Sequence, residues 1–268
     1  MNEVEQDSKV SVAIVSVTPE MARLWTEGHN NYRKLSKVAV TRYQRIMDNG
    51  LWSLSQPLIF DENGLMIDGD HRMNAVMGHG KPVDFVVLYG YNPKSSITFD
   101  NGRSRTGADA LAHEFPEMLK SSRVQSIVRA CEGGLSSTGA QWMRLMNTEF
   151  IVAYNKWKPC VDIFLPISTG KGYDVRSAIV AAFCRALNKN PDWEELLLTG
   201  LTAYAELKFT EQLEPFRLLR KAADNLKGQG SSAIRQLYGK TCSAILAYCR
   251  NQPVTRLMMP VVEPFPCK

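Results

Sequence analysis

The stretch "MIDGDHRMNAVMGHG", residues 66–80, decides the fold expected for the N-terminal part of the chain. An apolar run ends at Asp68 and Gly69, and an amphipathic run begins at about Asp70, so the pattern predicts a strand, a glycine turn and a helix. His71 and Arg72 follow directly, which places two acids, a histidine and an arginine at one junction. The first turn of a helix favours anions because its amides and its dipole are electropositive.

Two interpretations of this junction stay open on the residues alone. In the first, the backbone at Gly69 and the side chains of His71 and Arg72 contact a phosphate, since charged donors suit phosphate oxygens. In the second, Asp70 caps the helix and Arg72 pairs with Asp68. The first predicts a binding site, and the second predicts a structural turn.

Strands and helices alternate around this stretch. The β-branched run "VSVAIVSV" (residues 10–17) predicts a strand, and helices are expected after the capping residues Thr18 and Ser36. The segment "PLIFDENGLMID" predicts a hairpin, "PVDFVVLYG" a buried strand, and "SITF" a last short strand. Because the connections are short, residues 1–106 are expected to form a compact α/β domain.

The rest of the chain, residues 107–268, has apolar residues at helical spacings of three and four. The expected fold class is therefore α+β, with an N-terminal α/β domain and a C-terminal all-helical region. The proline-rich tail "VTRLMMPVVEPFP" is expected to run extended across the surface. The six cysteines lie in no CxxC pair and are expected to be reduced core residues.

The net charge of +5 arises entirely from residues 107–268, because acids and bases balance in residues 1–106. Such a surplus permits contact with nucleic acid without requiring it. The cluster of Arg217, Arg220 and Lys221 predicts either a basic face or an ordinary solvated helix surface. No apolar run approaches the roughly 20 residues of a membrane span, and the acidic start is unlike a signal peptide. We therefore expect a cytoplasmic protein without a membrane partner.

The residues "IDGDHRMNA", followed by a helix and "VDFVVLYG", resemble the phosphate-binding motif of the ParB/sulfiredoxin superfamily. The order of "NNYRKLS", a helix, "NGLWSLSQPLIFDENG" and then this motif is also similar to that of ParB proteins. The resemblance covers residues 10–106. With "FDNGRSRT" and a helical C-terminal part, the whole chain resembles ParB-like proteins of phages and other mobile elements, which implies the host cell cytoplasm.

The resemblance implies a nucleotide, ATP or CTP, bound with Mg2+. Gly69, His71 and Arg72 would be its phosphate ligands, and Asp68 or Asp70 a magnesium ligand or base. The implied catalytic residues are Asp68, Asp70 and His71. Asp70 stands where sulfiredoxin has its reactive cysteine, so repair of cysteine sulfinic acid is not expected.

Two further boxes are candidates for contact with the ligand. In "HNNYRK" (residues 29–34), Arg33 matches the arginine that ParB-like domains place near the nucleotide, and Asn31 is a further candidate ligand, unless this segment is a solvated loop. In "FDNGRSRTG" (residues 99–107), Arg103 and Arg105 follow a strand and suit a phosphate or a DNA backbone, unless they pair with surface acids.

The expected function is that of a nucleotide-binding ParB-like protein that hydrolyses a nucleoside triphosphate or transfers a phosphoryl group. Such transfer needs positioned cations more than covalent chemistry. The protein would act in DNA-related processes of a phage or mobile element, and its candidate partners are a nucleotide, DNA and a second copy of the chain. Two alternatives stay open: a non-catalytic DNA- or protein-binding module, and a ParB-like nuclease.

Overall fold

The computed structural model describes residues 10–27, 35–92, 107–115, 122–136, 145–169, 175–226 and 230–266. It divides the chain into two units, Met1–Ser104 and Arg105–Lys268, close to the boundary expected after residue 106. The first unit contains a mixed β-sheet with helices, and the described part of the second is helical. The expected α+β class is therefore confirmed.

The first unit is built on a four-stranded sheet whose strand order is β1-β4-β2-β3. β1 pairs with β4 antiparallel, β2 pairs with β4 parallel, and β2 and β3 form the expected hairpin. The expected strand "SITF" lies outside the described residues. The elements are β1 (Ser11–Val17), α1 (Pro19–Glu27), α2 (Lys37–Asp48), β2 (Leu58–Asp61), β3 (Met66–Asp68), α3 (Asp70–His79) and β4 (Val83–Tyr91).

Local side-chain chemistry sets the element ends in this unit. The Thr18 hydroxyl accepts a hydrogen bond from the backbone of Met21 at 3.2 Å, and the Ser36 hydroxyl accepts one from Ala39 at 3.3 Å, so both expected helix caps are present. In the hairpin turn, the buried Asp61 carboxylate accepts from two backbone amides at 2.8 and 2.9 Å. This Asx-type turn explains why "DENG" reverses the chain.

One face of the sheet forms the core of the first unit. Side chains alternate between the two faces of a strand, and β4 buries Val83, Phe85 and Val87 on the face covered by α1, α2 and α3. On the other face, Val12 and Ile14 of β1 are each 67% exposed. The described helices of this unit thus cover one side of the sheet.

The described part of the second unit contains seven helices around an apolar core. Phe183 is central to it, because its ring lies 5.7 Å from that of Phe164 and 5.8 Å from that of Phe216. None of the helices in the described residues is long and apolar enough to cross a membrane. The helices are α4 (Gly107–Glu114), α5 (Ser122–Gly133), α6 (Asn147–Ser168), α7 (Ser177–Lys189), α8 (Glu194–Glu206), α9 (Glu214–Asn225) and α10 (Gly230–Cys249).

The cysteines that the structure describes are core residues, as expected. Cys131, Cys160, Cys184 and Cys242 are buried, Cys249 is half-buried, and all five are free thiols. Burial raises the pKa of Cys160 to about 11 and that of Cys249 to about 12. Thiolates are therefore rare among these side chains at neutral pH, which fits a packing role.

The C-terminal tail is not helical, as expected, and much of it is exposed, with Val261 100% and Val262 76% exposed, but two of its side chains enter the core. Leu257 and Phe265 are buried in the core of the second unit. The buried guanidinium of Arg185 donates to the Phe265 carbonyl at 2.9 Å and to the Cys131 carbonyl, and it lies 3.7 Å from the Glu263 carboxylate. The tail is therefore an integral part of this unit.

Glu263 is the acceptor around which the end of the tail is organised. Its carboxylate accepts from the Leu135 amide at 2.8 Å and from the Tyr238 hydroxyl at 3.1 Å. Burial raises the pKa of Tyr238 far above its usual value, so the hydroxyl remains a donor at neutral pH. A Cβ on Gly134 would lie 2.4 Å from this carboxylate, so glycine is required there.

We predict that Glu263→Ala destabilises the second unit by about 3–5 kcal/mol, because it leaves the buried Arg185 without its carboxylate. Glu211→Ala, at an exposed glutamate of the same unit, should change stability by less than about 0.5 kcal/mol. Native-state amide hydrogen exchange in α5 and α10 measures both. Equal effects of the two substitutions would show that Glu263 does not hold the tail.

Candidate functional site

The glycine turn between β3 and α3 forms the centre of the candidate site. Gly69 occupies the N-cap position with φ 140° and ψ −3°, a conformation that side chains disfavour. A Cβ at this position would also lie 2.6 Å from the Leu58 side chain. The interpretation that Asp70 caps the helix is wrong, because Asp70 is the first residue of α3 and no side chain makes the capping hydrogen bond.

Arg72 lies in the first turn of α3 and is buried. Its Nη1 donates to the carbonyls of Gln56 and Pro57 at 2.7 and 2.8 Å, and its Nη2 lies 2.8 Å from Asp68 Oδ2. The pair of Arg72 with Asp68, expected in the second interpretation, is therefore present. The guanidinium joins the loop before β2, the end of β3 and the start of α3.

The two acids of the junction differ in their surroundings. The Asp68 side chain is 42% exposed but is held by Arg72, whereas Asp70 is half-buried and its carbonyl accepts from the Asn74 side chain at 2.8 Å. Among the residues that the structure describes, no group of three His, Cys, Asp or Glu side chains could hold a metal ion. A magnesium ion here would need further oxygen ligands from phosphates and water, as is common for this ion.

His71 connects the starts of two helices. Its Nε2 accepts a hydrogen bond of 2.9 Å from the backbone N–H of Ser36, the residue that caps α2. At the other end of the same two helices, His79 Nδ1 lies 2.6 Å from Asp48 Oδ1. His71 therefore connects the N-terminal ends of α2 and α3, and His79 connects their C-terminal ends. The two helices consequently lie side by side and run in the same direction.

The parallel arrangement concentrates positive potential at one place. Each helix carries about half a positive charge at its N-terminal end, together with first-turn amides that have no partner within the helix. The neutral imidazole of His71 accepts through Nε2 and therefore carries its proton on Nδ1, which can donate a further hydrogen bond. The starts of α2 and α3 thus provide a surface suited to an anion.

The other predicted contacts in the N-terminal region lie outside the described residues. These are Asn31 and Arg33 of the "HNNYRK" box, and Arg103 and Arg105 of the "FDNGRSRTG" box. Their predicted roles stay predictions.

The predicted basic face on α9 contains paired arginines. Arg217 donates two hydrogen bonds of 2.6 Å to the Glu214 carboxylate, which lowers the pKa of Glu214 and raises that of Arg217. Arg220 lies 3.7 Å from Asp224, whereas Lys221 is exposed. These pairs within the helix are typical of a solvated surface, and DNA binding stays a prediction.

Sequence reasoning assigned no role to His79 and missed its contact with Asp48. The contact needs α2 and α3 to be neighbours in space, which the sequence does not show. The one available signal is the eight-residue spacing of His71 and His79, a little over two helical turns.

Comparisons of the chain with protein-family models, with curated proteins and with solved structures found no match. The resemblance to the ParB/sulfiredoxin superfamily therefore stays a prediction from the sequence motif.

We predict that Arg72→Ala destabilises α3 by about 1–3 kcal/mol, since it leaves Asp68 and two backbone carbonyls, all partly exposed to water, without their donor. Arg23→Ala is the matched control: its side chain is 64% exposed and lies 3.9 Å from Glu27, four residues away. This control should change stability by less than about 0.5 kcal/mol. Amide hydrogen exchange of α3 measures the difference, and a mild effect of Arg72→Ala would contradict the structural role.

Proposed function

We propose that the chain binds a nucleotide through its phosphate groups at the adjacent starts of α2 and α3. The observation that carries this proposal is the hydrogen bond between the Ser36 amide and His71 Nε2, which brings two helix N-termini together. Paired dipoles and first-turn amides favour a polyanion more than a single helix start does. The sequence motif at residues 67–75 supports the same kind of ligand.

The contacts of the first unit suggest a division of roles among the predicted site residues. Gly69 leaves room for the backbone to approach the phosphate, and His71 offers the N–H at Nδ1. Arg72 acts in this proposal as a positioning residue, because its guanidinium already binds Asp68 and the loop before β2. This differs from the phosphate contact that the motif predicts for Arg72.

The proposal includes Mg2+ bound with the nucleotide. Asp70 is the better candidate for a carboxylate ligand or a base, since Asp68 is already paired with Arg72. One or two protein carboxylates with phosphate oxygens form a usual magnesium environment, so the acids present fit this ion. When bound, the ion would neutralise phosphate charge and orient the terminal phosphate for hydrolysis or transfer.

Isothermal titration with ATP, CTP and GTP in the presence of Mg2+ tests the proposal. We expect binding of at least one nucleotide, and His71→Ala should weaken it about tenfold or more, since hydrogen bonds to charged groups contribute roughly 1.5–3 kcal/mol. His79→Ala is the matched control, because it removes the histidine at the opposite ends of the same two helices. Its affinity should remain within about twofold of the wild type.

Absence of binding for all three nucleotides would contradict the proposal and favour the non-catalytic module. Equal losses of nucleotide affinity in both histidine variants would indicate that binding depends on the packing of α2 against α3 and not on a contact at their N-terminal ends. In a protein that does bind, Asp70→Asn should retain the nucleotide but lose turnover if Asp70 is the base or metal ligand. Normal turnover of that variant would remove Asp70 from the chemistry.

A further inference from the structure

A short apolar segment near the end of the second unit is exposed to solvent. Residues 258–262, "MMPVV", lie between Leu257 and Phe265, which are both buried in the core of that unit. Within this segment, which we call the tail tip, Val261 is 100% exposed and Val262 is 76% exposed. Contiguous exposed apolar side chains mark a surface that contacts another molecule.

The tail tip is held in place at both of its ends. The Ser243 hydroxyl of α10 donates a hydrogen bond to the Met258 carbonyl. The Met259 side chain lies against Gly239 of α10, where a Cβ would come 2.4 Å from Met259 Cγ. Directly after the tip, Glu263 is held by the contacts described above. Because the loop is already fixed, little conformational entropy remains to be lost when the tip binds a partner.

Most of the net positive charge of the chain lies in the same part of the sequence. Residues 230–268 contain five Lys or Arg residues and one acid, so they carry four of the five net positive charges. The one acid is Glu263, whose carboxylate lies 3.7 Å from the buried Arg185. The five basic residues are therefore not neutralised by an acid of this segment, and the segment favours a negatively charged partner.

Three of these basic side chains lie near the tail tip. Arg256 is exposed and directly precedes the buried Leu257. Lys240 Nζ lies 3.4 Å from the Leu257 carbonyl. Arg235 lies one helical turn before Gly239, on the face of α10 that the tip contacts. Several separate cations beside an apolar tip suit a partner whose negative charges repeat at a regular spacing, as the phosphates of a nucleic acid do.

We propose that the tail tip and its basic neighbours form a contact surface for double-stranded DNA. In this arrangement the cationic side chains contact phosphates, and the tip inserts at a base step from the minor groove. Apolar wedges that contain Met or Pro insert in this way in minor-groove proteins, where they partly unstack the step and bend the duplex. The inference is independent of the nucleotide site, since the tip belongs to the second unit.

The size and composition of the tail tip favour DNA over other acidic partners. A stable protein–protein interface involves roughly 20–30 residues on each side, whereas the tip has only the residues 258–262. Segments that enter a lipid surface typically present Trp, Phe or Leu side chains, and the tip contains none of these. On DNA, by contrast, phosphate contacts supply most of the affinity, so a small apolar wedge is sufficient.

Fluorescence anisotropy of the full chain with a labelled duplex of about 20 bp, without nucleotide, tests the phosphate contacts. We expect a dissociation constant of about 10 μM or lower at low salt. Arg256→Ala should weaken binding and reduce the slope of log affinity against log salt by about 0.9, the value for one lost phosphate contact. Lys208→Ala is the matched control, because it removes an exposed cation of the same unit that is paired with Glu206 at 2.8 Å. Its slope should equal that of the wild type.

Energy transfer between dyes at the two ends of the same duplex tests the insertion. The wild type should bend the duplex and raise the transfer. The double substitution Val261→Ser and Val262→Ser should abolish this rise and weaken binding about tenfold, with an unchanged salt slope, because the lost contact is apolar. Val152→Ser is the matched control, since Val152 is 52% exposed on α6 of the same unit. Circular dichroism checks that all variants remain folded.

Three results would overturn the proposal. The first is a wild-type chain that does not bind the duplex at low salt. The second is binding to vesicles of phosphatidylcholine and phosphatidylglycerol without binding to the duplex, which would identify the tail tip as a lipid contact. The third is duplex binding that neither bends the DNA nor responds more to the tip substitutions than to Val152→Ser, since the DNA surface would then lie elsewhere.

Discussion

The buried guanidinium of Arg72 is the interaction on which the first unit depends. It reaches the carbonyls of Gln56 and Pro57 before β2 and the carboxylate of Asp68 at the end of β3. A lysine could not replace it, since a single ammonium lacks the planar fork that serves three acceptors at once. Without this contact, the loop before β2 would lose its two hydrogen bonds to the first turn of α3, and the Gly69 turn would lose the ion pair between Asp68 and Arg72 that spans it. The motif predicts that Arg72 contacts a phosphate, whereas its contacts in the structure stabilise the fold of the first unit.

Contacts from α3 also fix the parallel orientation of α2 and α3. α3 is fixed to the sheet by Arg72 and joined to α2 at both ends by His71 and His79. Two parallel helices with adjacent N-termini repel each other electrostatically, because their dipoles are aligned. The histidine contacts and the apolar packing must offset this repulsion. An anion bound at the shared N-terminal end would relieve it, which gives the arrangement a physical reason within the proposed function.

The sequence predicts this fold well where local chemistry decides it. The caps at Thr18 and Ser36 and the "DENG" hairpin follow from side chains that bond to their own nearby backbone. The site is predicted less well, since the partners of Arg72 and His71 come from segments up to 35 residues away. In α6, tertiary packing outweighs the local preference of proline, because the helix continues through Pro159 and Pro166. In the tail the prolines are not in a helix, as expected, but the sequence does not show that Leu257 and Phe265 enter the core.

Each unit contains a buried arginine that contacts polar groups from several segments of the chain. In the first, Arg72 gathers carbonyls and a carboxylate from separate segments, and in the second, Arg185 does the same with Cys131, Phe265 and Glu263. Such a pair contributes less net stability than its contacts suggest, because the buried guanidinium loses its hydration. It does, however, raise the free energy of any alternative conformation in which the buried arginine lacks one of its acceptors. We therefore interpret both arginines as determinants of a unique fold: one holds the turn of the proposed nucleotide site, and the other holds the tail.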